Sequence, residues 1–253
     1  MNTSAPVLYL IPSTLGDVSP PDVIPQKTLQ ILRKLDHFIV EEERTARRFL
    51  IKAGINKPVD SLTFFILNEH TGKENLSSFF ENSGNTDMGL LSEAGVPAVA
   101  DPGTDLIRVA HRMGFRVVPL VGPSSVLLAV MASGLNGQNF AFTGYLPVKT
   151  DERAARIRFL EKRSLLENQA QVFIETPYRN NQLMKSILET CSPETWLCIA
   201  SNLTMENEWI STRMIAEWKK QIPDLHKQPA VFVLQKFNDS RDQGRLISSI
   251  KIS

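Results

Sequence analysis

Cysteine and histidine are scarce in this chain, with two and four among 253 residues, and their scarcity removes several chemistries at once. Cys191 and Cys198 stand seven apart on an apolar stretch with no companion Cys or His cluster. That pattern fits neither a disulfide framework nor zinc-ligand spacing, so both read as buried reduced thiols. His37, His70, His111 and His226 are scattered and no Gly-x-Ser-x-Gly elbow occurs, so neither a metal centre nor a hydrolase triad is indicated. Charge of one sign is also missing. With 28 Lys and Arg against 27 Asp and Glu, the formal charge is +1, too little for a whole-molecule field that gathers polyanions; any contact with nucleic acid must be local. No apolar run approaches the roughly 18 to 20 residues of a membrane-spanning helix, and Met1-Asn2-Thr3-Ser4 places no positive segment ahead of the first apolar stretch. The expected location is the cytoplasm. Nucleotide fingerprints are lacking too: no Gly-x-Gly-x-x-Gly follows the first apolar run, and Thr71-Gly72-Lys73-Glu74 lacks the upstream Gly and the Ser/Thr of a phosphate-binding loop.

What is present is an alternation of strand-length apolar runs with helix-period segments, the pattern of a parallel sheet covered by helices. Strands are expected at Val7–Ile11, Phe38–Val40, Leu62–Leu67, Gly89–Leu91 and Arg116–Leu120. Helices are expected at Gln26–Leu35, Arg44–Ala53, Asp105–Met113 and Ser125–Ala132. Gly54 is placed to end the second of these in the left-handed conformation, and Asp101-Pro102-Gly103-Thr104 supplies turn residues and a cap for the third.

The texture changes at Gly144-Tyr145-Leu146-Pro147, where a charged helix from Thr150 to Lys162 begins. A junction there gives an N-terminal α/β lobe over 1–143, a C-terminal α+β lobe over 144–237 and a polar tail over 238–253. The second lobe is read as strands Gln171–Ile174, Trp196–Ala200, Trp209–Ser211 and Ala230–Leu234 with helices Asn180–Glu189 and Thr212–Lys220, a mixed rather than purely parallel arrangement.

Three loops at the carboxyl ends of expected parallel strands are rich in Gly, Pro and small hydroxyls: Pro12–Gly16, Ser92–Pro97 and Val121–Ser125. Ligands of open α/β sheets bind at that edge. A glycine such as Gly95 lets a ligand approach the backbone, and Ser at a helix start offers a hydroxyl beside free N–H groups. One such loop is ordinarily just a turn; three in one lobe point to a binding edge.

The motifs Leu8-Tyr9-Leu10-Ile11-Pro12, Ser92-Glu93-Ala94-Gly95-Val96-Pro97, Asp101-Pro102-Gly103 and Val118-Pro119-Leu120-Val121-Gly122-Pro123-Ser124-Ser125 together resemble the tetrapyrrole-methylase-type (class III) S-adenosylmethionine (SAM)-dependent methyltransferases. Glu41–Arg44, Leu67–His70, Gly144–Lys149 and Phe173–Arg179 extend the resemblance from about Val7 to Phe237. It is closest to the bacterial branch that methylates a ribose 2′-hydroxyl of small-subunit ribosomal RNA. The resemblance implies two α/β lobes, a mostly parallel sheet with flanking helices followed by a mixed one, with the cofactor in the cleft between them, and a homodimer. It implies SAM contacts at Pro12, Leu15, Gly16, Ser92, Glu93, Ala94, Gly95, Pro97, Ser124, Ser125, Glu175, Thr176, Pro229 and Ala230.

Departures from the branch bear on the substrate. Glu42 and Glu93 stand where it has Asp, and Thr14-Leu15-Gly16-Asp17 where it has Pro-Ile-Gly-Asn. Ala200-Ser201-Asn202-Leu203-Thr204-Met205 replaces a segment carrying two cations and a carboxylate, and Lys227-Gln228-Pro229 replaces a Lys-Gly-Glu turn. The cofactor half of the resemblance is kept better than the substrate half.

Glu41, Glu42 and Arg44 are the candidate catalytic residues, because methyl transfer to oxygen requires the acceptor proton to leave; a capped helix start, with carboxylates favoured by the N-terminal dipole, would look the same. Asn68 and His70, at a strand end, are candidate acceptor-pocket residues or a polar turn. Lys149, Arg153 and Arg156 form a local basic face, and Tyr178 and Arg179 add a ring and a guanidinium, as RNA contact would use; a solvated helix face has the same composition. The leading reading is SAM-dependent methylation of ribosomal RNA. A small-molecule acceptor such as a tetrapyrrole, and a SAM-binding protein without turnover, remain open alternatives.

Overall fold

The computed structural model describes residues 5–68, 71–72, 75–84 and 86–237; the tail read at 238–253 lies outside them. The chain divides into two compact units, 1–124 and 125–253.

The first unit is built from β1 (Val7–Ile11), α1 (Pro20–Val23), α2 (Gln26–Leu32), β2 (His37–Val40), α3 (Glu43–Lys52), β3 (Thr63–Ile66), α4 (Leu76–Asn82), β4 (Met88–Leu91), α5 (Thr104–Arg112) and β5 (Arg116–Pro119). The strands form a wholly parallel sheet in the order β3-β2-β4-β1-β5. Successive strand residues point to opposite faces, so each face acquires its own core. Ile11, Phe38, Val40 and Leu91 pack with Leu29 and Leu32 of α2 and Phe49 and Leu50 of α3. Leu8, Ile39, Met88 and Leu90 pack with Leu76 and Phe80 of α4 and Leu106 and Ala110 of α5. Gly89 is the exception in β4: a Cβ there would overlap the Ile11 side chain, so its absence lets the two central strands share one layer of packing. Helix α3 ends as expected at Gly54, whose φ is +77°, and Arg33 Nε donates to the carbonyl of Ala53 (2.9 Å) at that end.

The second unit comprises α6 (Ser125–Ser133), β6 (Phe140–Tyr145), α7 (Thr150–Glu167), β7 (Ala170–Ile174), α8 (Asn180–Thr190), β8 (Trp196–Ser201), β9 (Trp209–Met214), α9 (Ile215–Trp218) and β10 (Ala230–Gln235). Its sheet runs β6-β7-β10-β8-β9, with β6 and β7 parallel and the other pairs antiparallel. Helices α7, α8 and α9 supply Ile157, Leu160, Leu183, Ile187 and Trp218 to a core on Phe173, Leu197, Ile199, Phe232 and Leu234.

Two expectations change. The division falls at Ser124–Ser125 rather than at 143/144, because α6 packs on β8, β9 and β10, with the Thr212 hydroxyl donating to the Ser133 carbonyl (2.8 Å). Thr212–Met214, expected to open a helix, instead complete β9, where Cys198 pairs with Thr212 and Leu197 with Arg213. Cross-strand pairing overrides local propensity there.

Candidate active site

The five parallel strands end at one edge, and the three Gly/Pro/Ser loops follow β1, β4 and β5 at that edge. They are tied to one another. Ser13 N–H donates to the Gly95 carbonyl (2.9 Å) and Ser92 N–H to the Ile11 carbonyl (3.3 Å). Gly122 lies against the Pro12 ring, where a Cβ has no room. Gly95 has φ +76°, and a Cβ on it would come within 3.0 Å of Leu15 Cδ2 and 3.3 Å of the Pro123 carbonyl. The missing side chain of Gly95 thus serves the backbone turn and the packing of the neighbouring loops.

A cavity of about 510 Å³ opens between the β1 loop, α3 and the β4 loop. Leu15, Val40, Phe49 and Leu91 make its apolar wall; Ser13, Thr14, Ser92 and Glu93 add polar groups. Its volume is that of a cavity for a small ligand.

Glu93 of that lining interacts with three further carboxyls, Glu41, Glu42 and Asp101. Glu41 follows Val40 at the end of β2, and its carboxyl is in hydrogen-bond contact with that of Asp101. Burial, the Asp101 contact and the negative charges of Asp101 and Glu93 raise Glu41 to about 8 from the ordinary 4.5. Glu41 Oε1 is buried without a hydrogen-bond partner. Asp101 also accepts the Ser92 hydroxyl at Oδ2 (2.7 Å), instead of capping α5, whose N-cap is Gly103 with no side-chain bond. Glu93 keeps much of its side chain in solvent, yet its carboxyl is raised by burial and by Glu42 and Asp101 against the opposing Glu42 backbone bond. Glu42 is committed elsewhere: Oε1 accepts from Arg44 N–H (2.8 Å) and Oε2 from the Thr45 N–H and hydroxyl (both 2.7 Å), capping α3. Those bonds hold it below the usual carboxylate range. Arg44 is exposed on the first turn of α3.

Of the other expected residues, Pro12, Leu15, Gly16, Ala94, Pro97 and Ser124 belong to the knitted edge of the first unit. Asn68 closes a turn in which its N–H donates to Thr71 Oγ1 (3.0 Å); His70 lies outside the described residues. Ser125, Glu175, Thr176, Pro229 and Ala230 belong to the second unit. Glu175 is buried, and its Oε1 accepts from Thr176 N–H and Arg179 Nη2 (both 2.6 Å). Burial pushes its carboxyl up, but Arg179 and Thr176 outweigh that and hold it low. Arg179 is thus paired with Glu175 through Nη2, while its Nε is buried without a partner. The Pro229 carbonyl accepts from Asn202 N–H (2.9 Å), and Ala230 begins β10.

The basic face also changes. Arg153 is 4% exposed, with Nε on the Ser186 hydroxyl (2.9 Å) and Nη1 on the Val148 carbonyl (3.0 Å); it anchors α7 to α8 and presents no cation to solvent. Lys149 pairs with Glu152 (3.1 Å), and Arg156 lies 5.0 Å over the exposed Phe159 ring. Tyr178 is exposed, edge-on to His226 (6.2 Å). The two divergent segments meet: Gln228 Oε1 accepts from both Ser201 Oγ and Asn202 Nδ2 (3.2 Å each). Neutral groups bonded to each other stand where the related branch carries charges. Sequence reading missed Asp101 as a site residue. In sequence, Asp101-Pro102-Gly103 reads as a turn ahead of a helix, which needs no site.

A profile of the family described as Tetrapyrrole (Corrin/Porphyrin) Methylases matches residues 7–217. The chain belongs to that family. Relatives include the "Ribosomal RNA small subunit methyltransferase I" of Vibrio cholerae, 29% identical over 94% of this chain and 80% of the relative, and that of Mesorhizobium japonicum, 31% identical over 82% and 67%. Among solved structures, a cobalt precorrin-4 methyltransferase of cobalamin biosynthesis superposes with a TM-score of 0.58 at 16% identity, covering 90% of this chain and 94% of the other. At that identity the likeness is one of fold. This methylase is a SAM-dependent methyltransferase with SAM as its cofactor. The first-unit edge fits such a group: an apolar-walled cavity with two buried serines, Ser13 and Ser92, at its rim.

Proposed function

We propose that this methyltransferase modifies ribosomal RNA of the small subunit, at a ribose 2′-hydroxyl. The observation that carries the reading is the identity, 29% over 94% of the chain, to a relative whose name states the small-subunit RNA. The site chemistry supports an oxygen acceptor, since a hydroxyl must lose its proton on methylation and the Glu41 carboxyl, next in sequence to Val40 of the cavity wall, is raised to about 8.

Bound SAM supplies an electrophilic methyl group. In this reading Pro12–Gly16, Ser92–Pro97 and Ser124 hold it, largely through backbone groups, and the protein's contribution is alignment of the acceptor. RNA would meet the outer face of α7, where Arg158, Lys162 and Phe159 are exposed and Arg156 covers the Phe159 ring, a combination suited to phosphates and an unstacked base.

A second reading, a tetrapyrrole or other small acceptor, is favoured by the neutral Ser201–Gln228–Asn202 network. Mass mapping of ribosomal RNA from cells with and without the protein separates the two. A single methylated ribose that disappears with the protein supports the RNA reading; an unchanged map removes it.

A further inference from the structure

Methyl transfer to a hydroxyl forms an O–CH3 bond, leaves the electron pair of the broken S–CH3 bond on sulfur, and releases the hydroxyl proton. The residue that takes this proton is what the chain must supply, and the candidate segment Glu41–Arg44 offers little choice. The Glu42 oxygens are occupied by the α3 cap, and Arg44 carries no base. Within that segment, Glu41 has a buried oxygen, Oε1, without a partner.

Glu41 does not stand alone. Its carboxyl touches that of Asp101, sixty residues on, which is anchored by the buried Ser92 hydroxyl at 2.7 Å. Ser92 in turn sits on the cavity wall and receives its place from the Ser92 N–H bond to Ile11 at the end of β1. We propose that Asp101 is a positioning residue for methyl transfer: held by Ser92, it crowds its carboxyl against Glu41 and makes Glu41 the proton acceptor of the site. The proposal rests on the reading of the acceptor as a hydroxyl.

The two carboxyls in contact cannot both be charged without cost, so the pair retains one proton. The groups acting on Glu41 are the carboxyls of Asp101 and Glu93, all three at the same sheet edge, with Glu42 acting on Glu93. Glu41 therefore keeps its proton through neutral pH and gives it up near pH 8, becoming a base stronger than an ordinary carboxylate. The acceptor proton then passes to the Glu41 carboxylate and restores the protonated pair.

The pair has a readout that needs no substrate. In a pH titration of the carboxyl carbons by 13C NMR, wild-type protein should show one carboxyl titrating near pH 8, absent from Glu41→Gln and moved to lower pH in Asp101→Asn. Asp101→Asn keeps an oxygen for the Ser92 hydroxyl and removes the charge. In transfer assays with small-subunit RNA from cells lacking the protein, wild-type rate should rise through the same pH. Asp101→Asn should shift that rise downward with the KM for SAM unchanged. Glu41→Gln should lose about 10²-fold or more in kcat together with the pH dependence.

A rate loss in Asp101→Asn with no shift in midpoint, or a wild-type protein in which every carboxyl titrates in the ordinary range, overturns the proposal. Should Asp101→Asn not fold, Glu41→Gln decides: a surviving carboxyl transition near pH 8 overturns it. A wild type that shows the titration but methylates no RNA fails on the acceptor, not on the pair.

Discussion

Gly122 packs against the Pro12 ring, with no space for a side chain between them. The contact joins the loops after β1 and β5, and a proline ring cannot swing aside as a long side chain would. Gly122→Ala should therefore overpack the edge at a cost of about 1–3 kcal/mol, lowering the thermal midpoint and weakening S-adenosylhomocysteine binding together. Gly95→Ala meets the movable end of Leu15 but must hold φ near +76°, for which roughly 1–2 kcal/mol is the expected strain. Calorimetry with and without the ligand checks both; an unchanged midpoint in Gly122→Ala would show that the loops are not knitted as described.

Arg153 holds α7 to α8 through Ser186 and the Val148 carbonyl. Arg153→Ala should destabilise the protein by about 1.5–3 kcal/mol, measured by denaturant unfolding. Charge reversal at the exposed Arg158 and Lys162 should leave stability alone while weakening RNA binding and reducing its salt slope by about one unit per lost phosphate contact. Unchanged RNA affinity in that double variant would reduce the α7 face to a solvated surface.

Glu41 and Glu42, adjacent in sequence, should make opposite contributions to the pH dependence of stability. Glu41 is raised in the folded state to about 8 from 4.5, so its contribution is full below its ordinary value and is lost as pH rises through about 8. Glu41→Gln should match wild type in mild acid and exceed it in thermal midpoint above pH 8. Glu42 is lowered by its cap bonds, so its contribution is present above the ordinary carboxylate value and lost as pH falls through its lowered one. Glu42→Ala should be less stable than wild type at neutral pH, with the difference vanishing in acid. Thermal melts across pH test both signs.

Cys191 and Cys198 are both buried, and burial pushes both thiols up. A thiol-reactive dye should label neither in the native protein and both after denaturation. Rapid native labelling would contradict the packing of the second core.

The strand β1 was legible to the residue, because a five-residue apolar run between a loop and Pro12 has few alternatives. So was the end of α3, because Gly54 takes a conformation other residues avoid. Strand β6 was not: Gly144 and a register shift between Phe142 and Tyr145 break its alternation. Helix α1 is four residues long, too short for a periodic signal. At the site, the three loops could be read from their composition. The Glu41–Asp101–Ser92 arrangement could not, since those residues come from β2 and from both ends of the loop after β4, and only the folded sheet edge brings them together. Arg153 shows the reverse failure: on a charged helix, sequence alone did not distinguish the arginine turned inward from those facing solvent.

The proposed reaction is methyl transfer from SAM to ribosomal RNA. It is tested most directly by incubating purified protein with methyl-labelled SAM and small ribosomal subunits, or their extracted RNA, from cells lacking the protein, and then digesting the RNA to nucleosides. Stoichiometric label in a single 2′-O-methylnucleoside is expected, absent when Glu41→Gln replaces wild type. Label confined to a base, label in added tetrapyrrole with none in RNA, or SAM binding without any transfer would each contradict it.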